Sequence, residues 1–141
     1  MLQSQLDRLT RAFREAMAAM GLETPAGAQP SISLDRPRQA GHGDIASNLA
    51  MQLARPLKQA PRQVAQSLLD ALLKVDGGTM IERGEVAGPG FINLWLTPHT
   101  KQQVVAAVLA DPEGFGDQPA HAGEQVLLEF VSANPTGPMH V

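Results

Sequence analysis

The run Phe91-Ile92-Asn93-Leu94-Trp95-Leu96 alternates between two kinds of side chain without a break, and it is entered through Ala87-Gly88-Pro89-Gly90. Successive residues of a strand point to opposite faces, so Ile92, Leu94 and Leu96 share one face and Phe91, Asn93 and Trp95 share the other. Thr79–Val86 is also β-prone, and a short Gly/Pro connection between two such runs predicts a hairpin. A hairpin with one aliphatic face needs a second layer to cover it, which points to helices packed on a small sheet. The other face then presents two aromatics flanking an amide. That chemistry suits unpaired RNA bases, because a ring stacks on a base while an amide offers a donor and an acceptor to its edge. The same pattern fits Phe91 and Trp95 buried beneath a helix or an adjoining domain.

The covering helices are legible on either side of the hairpin. Leu2, Leu6, Leu9, Phe13, Met17 and Met20 recur every three or four residues, one apolar stripe along a helix that Gly21 is placed to stop. Residues 24–30 read as a connecting loop, and Ser31–Asp35 alternates as a half-buried strand would. Pro61 suits the first turn of another helix, whose stripe is Val64, Leu68, Leu72 and Val75 and whose end is Gly77-Gly78. Thr97-Pro98 supplies an N-cap and a first-turn proline for a last helix, predicted to be amphipathic through Val104, Val105, Val108 and Leu109.

Gly41-His42-Gly43-Asp44-Ile45-Ala46-Ser47-Asn48 places two glycines before an aspartate able to cap a helix. The predicted helix sets Ile45, Leu49 and Leu53 on one face and Asn48, Gln52 and Arg55 on another, with Pro56 kinking or ending it. A glycine loop opening a helix is a possible phosphate site, but this one has neither a Walker spelling nor a dinucleotide fingerprint, and a plain capped turn explains it as well.

Charge is unevenly spread. The formal net charge is −3, which by itself speaks against binding a polyanion. Yet residues 36–62 hold Arg36, Arg38, Arg55, Lys58 and Arg62 against the single carboxylate Asp44, while the acidic excess lies from residue 63 onward. A local basic zone on an acidic protein is able to meet a phosphate backbone, or is simply a solvated face. The chain has no cysteine, which excludes a disulfide framework and a Cys-based zinc site. His42, His99, His121 and His140 show no ligand spacing, so no metal site is expected. Residues 1–20 carry charges at helical intervals and no long apolar core, unlike a signal peptide or membrane span, and a cytoplasmic protein is expected.

The end of the chain carries the most specific spelling. Val126-Leu127-Leu128 begins a short apolar run that reads as a strand buried on both faces, followed by Glu129-Phe130-Val131-Ser132-Ala133-Asn134-Pro135-Thr136-Gly137-Pro138-Met139-His140-Val141. This stretch closely resembles the start of the class I active site of arginyl-tRNA synthetases, where Gly-His follows to complete a His-x-Gly-His signature. Two internal segments are similar to the N-terminal domain of the same family: Gly43-Asp44-Ile45-Ala46-Ser47-Asn48 and Gly88-Pro89-Gly90-Phe91-Ile92-Asn93. The chain is therefore expected to be an N-terminal piece of such an enzyme, ending inside its ATP-binding signature.

The resemblance implies roles residue by residue. Glu129, Ser132 and Asn134 would contact arginine, and His140 would be the first histidine of the ATP signature and the catalytic candidate. Phe91 would stack on a base of the tRNA D-loop and Asn93 read its edge, with the Gly88 and Gly90 backbone allowing close approach. ATP would be a substrate and Mg2+ would serve the complete enzyme, with neither bound by this piece alone, which is expected to be an inactive monomer. The implied architecture is an α+β tRNA-recognition domain at 1–114, with helices on a small, mostly antiparallel sheet. A linker at 115–123 and the first strand and ligand loop of a Rossmann-type catalytic domain at 124–141 complete it. A reading of another class is a non-catalytic module that docks a protein partner on Phe91 and Trp95.

Overall fold

The computed structural model describes residues 2–22, 30–37, 39, 41–116, 123, 125, 127 and 128. Among the described residues, four helices and a three-stranded antiparallel sheet follow in the order α1 (Gln3–Ala19), β1 (Ile45–Ser47), α2 (Leu49–Leu57), α3 (Pro61–Asp76), β2 (Ile81–Ala87), β3 (Phe91–Leu96) and α4 (Pro98–Ala110). The fold class is α+β, as the hairpin and stripes predict.

Helix α1 buries Leu9, Phe13, Ala16 and Met17. It ends in a Schellman motif, in which Leu22 N–H donates to the Met17 carbonyl at 3.0 Å and Gly21 N–H to the Ala18 carbonyl at 2.9 Å, satisfying carbonyls that the helix itself leaves free. Helix α3 opens on Pro61 and closes on Gly77, and its buried Val64, Ala65, Leu68, Leu69 and Leu72 make it the hub against which α1, α2 and β2 pack. Leu68 and Leu72 are fully enclosed, and each such side chain contributes about 1.5–3 kcal/mol by leaving water.

The sheet order is β1-β3-β2, with β3 in the centre. Strands β2 and β3 form the predicted hairpin, with Val86 opposite Ile92 and Ala87 opposite Phe91. Ile92, Leu94 and Leu96 join the core beneath the helices.

Three expectations are corrected. Ser31–Asp35 does not form a strand; only Asp35 bridges, exchanging backbone hydrogen bonds with Ala46 at 2.9 and 2.7 Å. Ile45 does not begin a helix but pairs with Leu94 in β1, and the helix starts at Leu49. A free edge of β3 accepts any extended segment brought beside it, and that backbone pairing outweighs the local helical pattern of Ile45, Leu49 and Leu53. Helix α4 has the predicted Thr97 cap, with Thr100 N–H donating to Thr97 Oγ1 at 3.2 Å, but it is not amphipathic in the fold. It buries only Thr100 and leaves Val105 and Leu109 exposed; the hydrogen bonds that tie it to α1 are in its N-terminal half, from the Gln5 amide to the Thr100 carbonyl and to Gln103 Oε1.

Leu127 and Leu128 belong to no strand and are exposed, so the strand expected there is not formed at the two of its residues that are described. A strand buried on both faces takes its ladder and its covers from neighbours, and none is present among the described residues. No described helix is long and apolar enough to cross a membrane.

Candidate nucleic-acid interface

The face of the sheet turned away from the helices is built by register. Phe91, Asn93 and Trp95 stand on β3, Ala87, Glu85 and Arg83 lie opposite them on β2, and Ala46 lies opposite Asn93 on β1. Small residues flank one half of this face. Ala46 and Ala87 leave a hollow beside Asn93 and Phe91, and the bend at Asp35–Pro37 with His42 walls it into an open cleft of about 850 Å³. The turn residues Gly88 and Pro89 form its rim next to Phe91, and Asn48 forms another side.

The two aromatics are not equivalent. Phe91 is 40% exposed at the cleft. Trp95 is half-buried, and the Arg83 guanidinium stands 3.5 Å from its ring centroid, close enough for a cation–π contact. Arg83 is also paired with Glu85, so this half of the face is closed by its own side chains.

Asn93 is 5% exposed and borders the cleft, and among the described residues nothing hydrogen-bonds its amide. No fully buried side-chain nitrogen or oxygen among the described residues lacks a partner, so the Asn93 amide is not an orphan of the core; its place at the cleft is what equips it to offer a donor and an acceptor to a ligand. The aromatic and amide proposed from alternation are thus brought together.

The two glycines part company. A Cβ on Gly88 would meet open space, so its backbone faces the cleft freely. Gly90 is buried, with φ +139, and a Cβ there would lie 3.0 Å from the Pro61 carbonyl oxygen. The close approach that Gly90 permits is therefore to the start of α3 rather than to a ligand.

Asp44 also differs from expectation. It caps no helix; its backbone N–H donates to the Leu94 carbonyl at 2.8 Å, and its Oδ2 accepts Leu96 N–H at 2.8 Å and the Lys101 ammonium at 2.8 Å. Burial pushes the carboxyl upward, but the hydrogen bonds from Lys101 and Leu96 and the charges of Lys101 and Arg36 outweigh it and hold the group below the ordinary carboxylate range. Gly43 lies against the Leu94 carbonyl, where a Cβ would come within 2.7 Å, so the glycine loop serves strand docking rather than a phosphate. Sequence reasoning missed Asp35, Arg36 and Ala46 as cleft residues, since only the pairing of β1 with β3 brings them there.

Glu129, Ser132, Asn134 and His140 lie outside the described residues. Among the described residues no group of three His, Cys, Asp or Glu side chains gathers to hold a metal ion.

Residues 7–96 match the model of the arginyl tRNA synthetase N terminal domain. The chain is 54% identical over 127 residues to an arginine–tRNA ligase of Paraburkholderia phytofirmans, covering 89% of the chain and 21% of that protein. It is 50% identical over 142 residues to an arginine–tRNA ligase of Herminiimonas arsenicoxydans, covering 100% of the chain and 24% of that protein. It is 47% identical over 143 residues to one of Cupriavidus metallidurans, covering 100% of the chain and 23% of that protein. The chain thus spans between a fifth and a quarter of the length of these relatives. A family match over most of the helices and the whole sheet shows that this chain belongs to the arginyl-tRNA synthetase N-terminal domain family.

Proposed function

We propose that residues 1–114 are the tRNA-recognition domain of an arginyl-tRNA synthetase and that the cleft at Phe91 and Asn93 takes an unpaired base of the tRNA D-loop. The observation that carries this reading is the pairing of an exposed ring with a buried amide in one cleft. An extruded base stacks on Phe91, and the Asn93 amide meets its edge. Gly88 lets the sugar-phosphate backbone pass the rim, whereas Gly90 supports the turn from beneath. The rival use of this face, protein docking on two aromatics, is weakened by the Arg83 guanidinium over Trp95.

Stacking of one base on an aromatic is worth about 1–3 kcal/mol, so Phe91→Ala is expected to weaken tRNA binding by roughly 5- to 150-fold. Titration of the chain with tRNA measures this; unchanged affinity in both Phe91→Ala and Asn93→Ala would remove the base-reading role.

For the complete enzyme, the proposal extends to the reaction that the relatives' names describe, the joining of arginine to tRNA. The arginine carboxylate attacks the α-phosphate of ATP, pyrophosphate leaves, and a hydroxyl of the tRNA terminal ribose then takes the arginyl group with release of AMP. Glu129 would pair with the substrate guanidinium, whose parallel donors match a carboxylate, while Ser132 and Asn134 would meet its polar ends and His140 would face ATP. Such chemistry depends on positioning and charge stabilisation, which need a complete site. The 141-residue chain alone is therefore expected to show no arginine-dependent pyrophosphate exchange, and measurable exchange would refute that. The linker at 115–123, the catalytic start at 124–141, a cytoplasmic location and a monomeric state belong to the same proposal.

A further inference from the structure

Helix α2 leaves the cleft at Asn48, and α3 begins at Pro61, which lies against Gly90 behind the turn whose Gly88 and Pro89 rim the cleft. Between and beside these two points stand Arg55, Lys58 and Arg62, all exposed. No carboxylate occurs in the chain between Asp44 and Asp70, and Asp44 is held by Lys101. Among the described residues, none of the three cations makes an ion pair.

Two of these cations sit where the fold itself favours something else. Lys58 ends α2 with φ 52, the one positive-φ residue other than glycine among the described residues. A side chain in that region costs about 1–2 kcal/mol that a glycine avoids. Arg62 lies in the first turn of the 16-residue α3, which has no acidic residue there. A cation at that end opposes the helix macrodipole, whereas an anion would be welcomed by both the dipole and the free N–H groups. Arg55, in the last turn of α2, is favourably placed for its own helix. The elbow therefore concentrates positive charge at some cost to the domain, next to the cleft.

We infer that Arg55, Lys58 and Arg62 form a phosphate-binding ridge that carries the RNA backbone past the α2–α3 elbow while a base enters the Phe91–Asn93 cleft. The inference rests on the reading of that cleft as an RNA site and names where the flanking phosphates go. Helix α2 is roughly 14 Å long at 1.5 Å per residue, so the elbow at its far end is within about two to three nucleotides' reach of Asn48 at the cleft. Arg36 lines the cleft itself. The backbone is thus held by cations from two sides, and the ridge contributes affinity without reading sequence.

The test is a titration of the chain with unfractionated tRNA over a salt series, using Lys58→Gly/Arg62→Gln, Phe91→Ala and Asn93→Ala, with thermal melting of each. Each lost phosphate contact lowers the slope of log K against log salt by about 0.7–0.9, so the double variant is expected to flatten it by roughly 1.4–1.8. Its melting temperature is expected to stay level or rise, because both changes relieve the local structure. Phe91→Ala is expected to weaken binding at every salt concentration with the slope unchanged.

A double variant with the slope and affinity of the parent overturns the ridge, and if Phe91→Ala still weakens binding the cleft reading survives it. A flattened slope with Phe91→Ala and Asn93→Ala both silent keeps the ridge and removes the base reading. A parent chain that fails to bind tRNA at low salt overturns both.

Discussion

Asp44 Oδ2 accepts the backbone N–H of Leu96 at 2.8 Å, across 52 residues of sequence, at the point where the central strand gives way to α4. The same oxygen receives Lys101, one turn into that helix, so one carboxylate ties the glycine loop, the end of β3 and the start of α4 together. Because the folded state holds this carboxyl below the ordinary carboxylate value, its contribution to stability is fully present above about pH 4 and is lost as pH falls through the lowered folded value. Asp44→Asn is expected to flatten the acid limb of a stability–pH profile below about pH 4 and to lower stability at neutral pH. Denaturant titrations from pH 2 to 7 measure both, and an unchanged acid limb would show that Asp44 is not the titrating group.

Gly90→Ala is expected to cost about 1–3 kcal/mol, since a Cβ at φ +139 would meet the Pro61 carbonyl 3.0 Å away. Gly88→Asn, at φ 51 with open space around it, is expected to change stability by less than about 1 kcal/mol, because asparagine tolerates that conformation. Equal losses for the two, read from urea midpoints, would contradict the packing of the turn on α3.

Adjacent residues of β3 are expected to respond in opposite ways. Ile92 is fully buried beneath the helices, and Ile92→Ala should cost about 2–5 kcal/mol. Phe91 is 40% exposed on the other face, and Phe91→Ala should cost less than about 1 kcal/mol while weakening RNA binding. A large stability loss in Phe91→Ala would mean that the ring serves the fold, leaving no need for an RNA role.

Helix α4 should behave as a pinned strut. Gln5 is 3% exposed, and its amide donates to the Thr100 carbonyl at 2.7 Å while its oxygen accepts Leu2 N–H at 3.0 Å. Gln5→Ala is expected to cost about 1–3 kcal/mol and to speed amide exchange in the first turn of α4. Leu109→Gln, on the exposed part of the helix, should change stability by no more than about 0.5 kcal/mol. Hydrogen exchange that is slowest in α3 and fast toward Ala110 is the accompanying signature.

What the sequence by itself determined is the set of faces. The stripes of α1 and α3, the turn at Ala87–Gly90 and the division of β3 into an aliphatic and an aromatic–amide side all follow from periods of 3.6 and 2, and the spelling of Gly88–Asn93 and Glu129–Val141 carried the family. Tertiary structure alone decided what stands opposite each face. Local periodicity shows that a side is apolar, but the register between distant segments sets its neighbour. Thus Ile45–Ser47 became a strand because β3 offered an edge, and Asp44 turned from a helix cap into the brace of Leu96. Phe91, opposite Ala87, stays open, while Trp95, opposite Arg83, is covered, a difference no reading of β3 alone could supply.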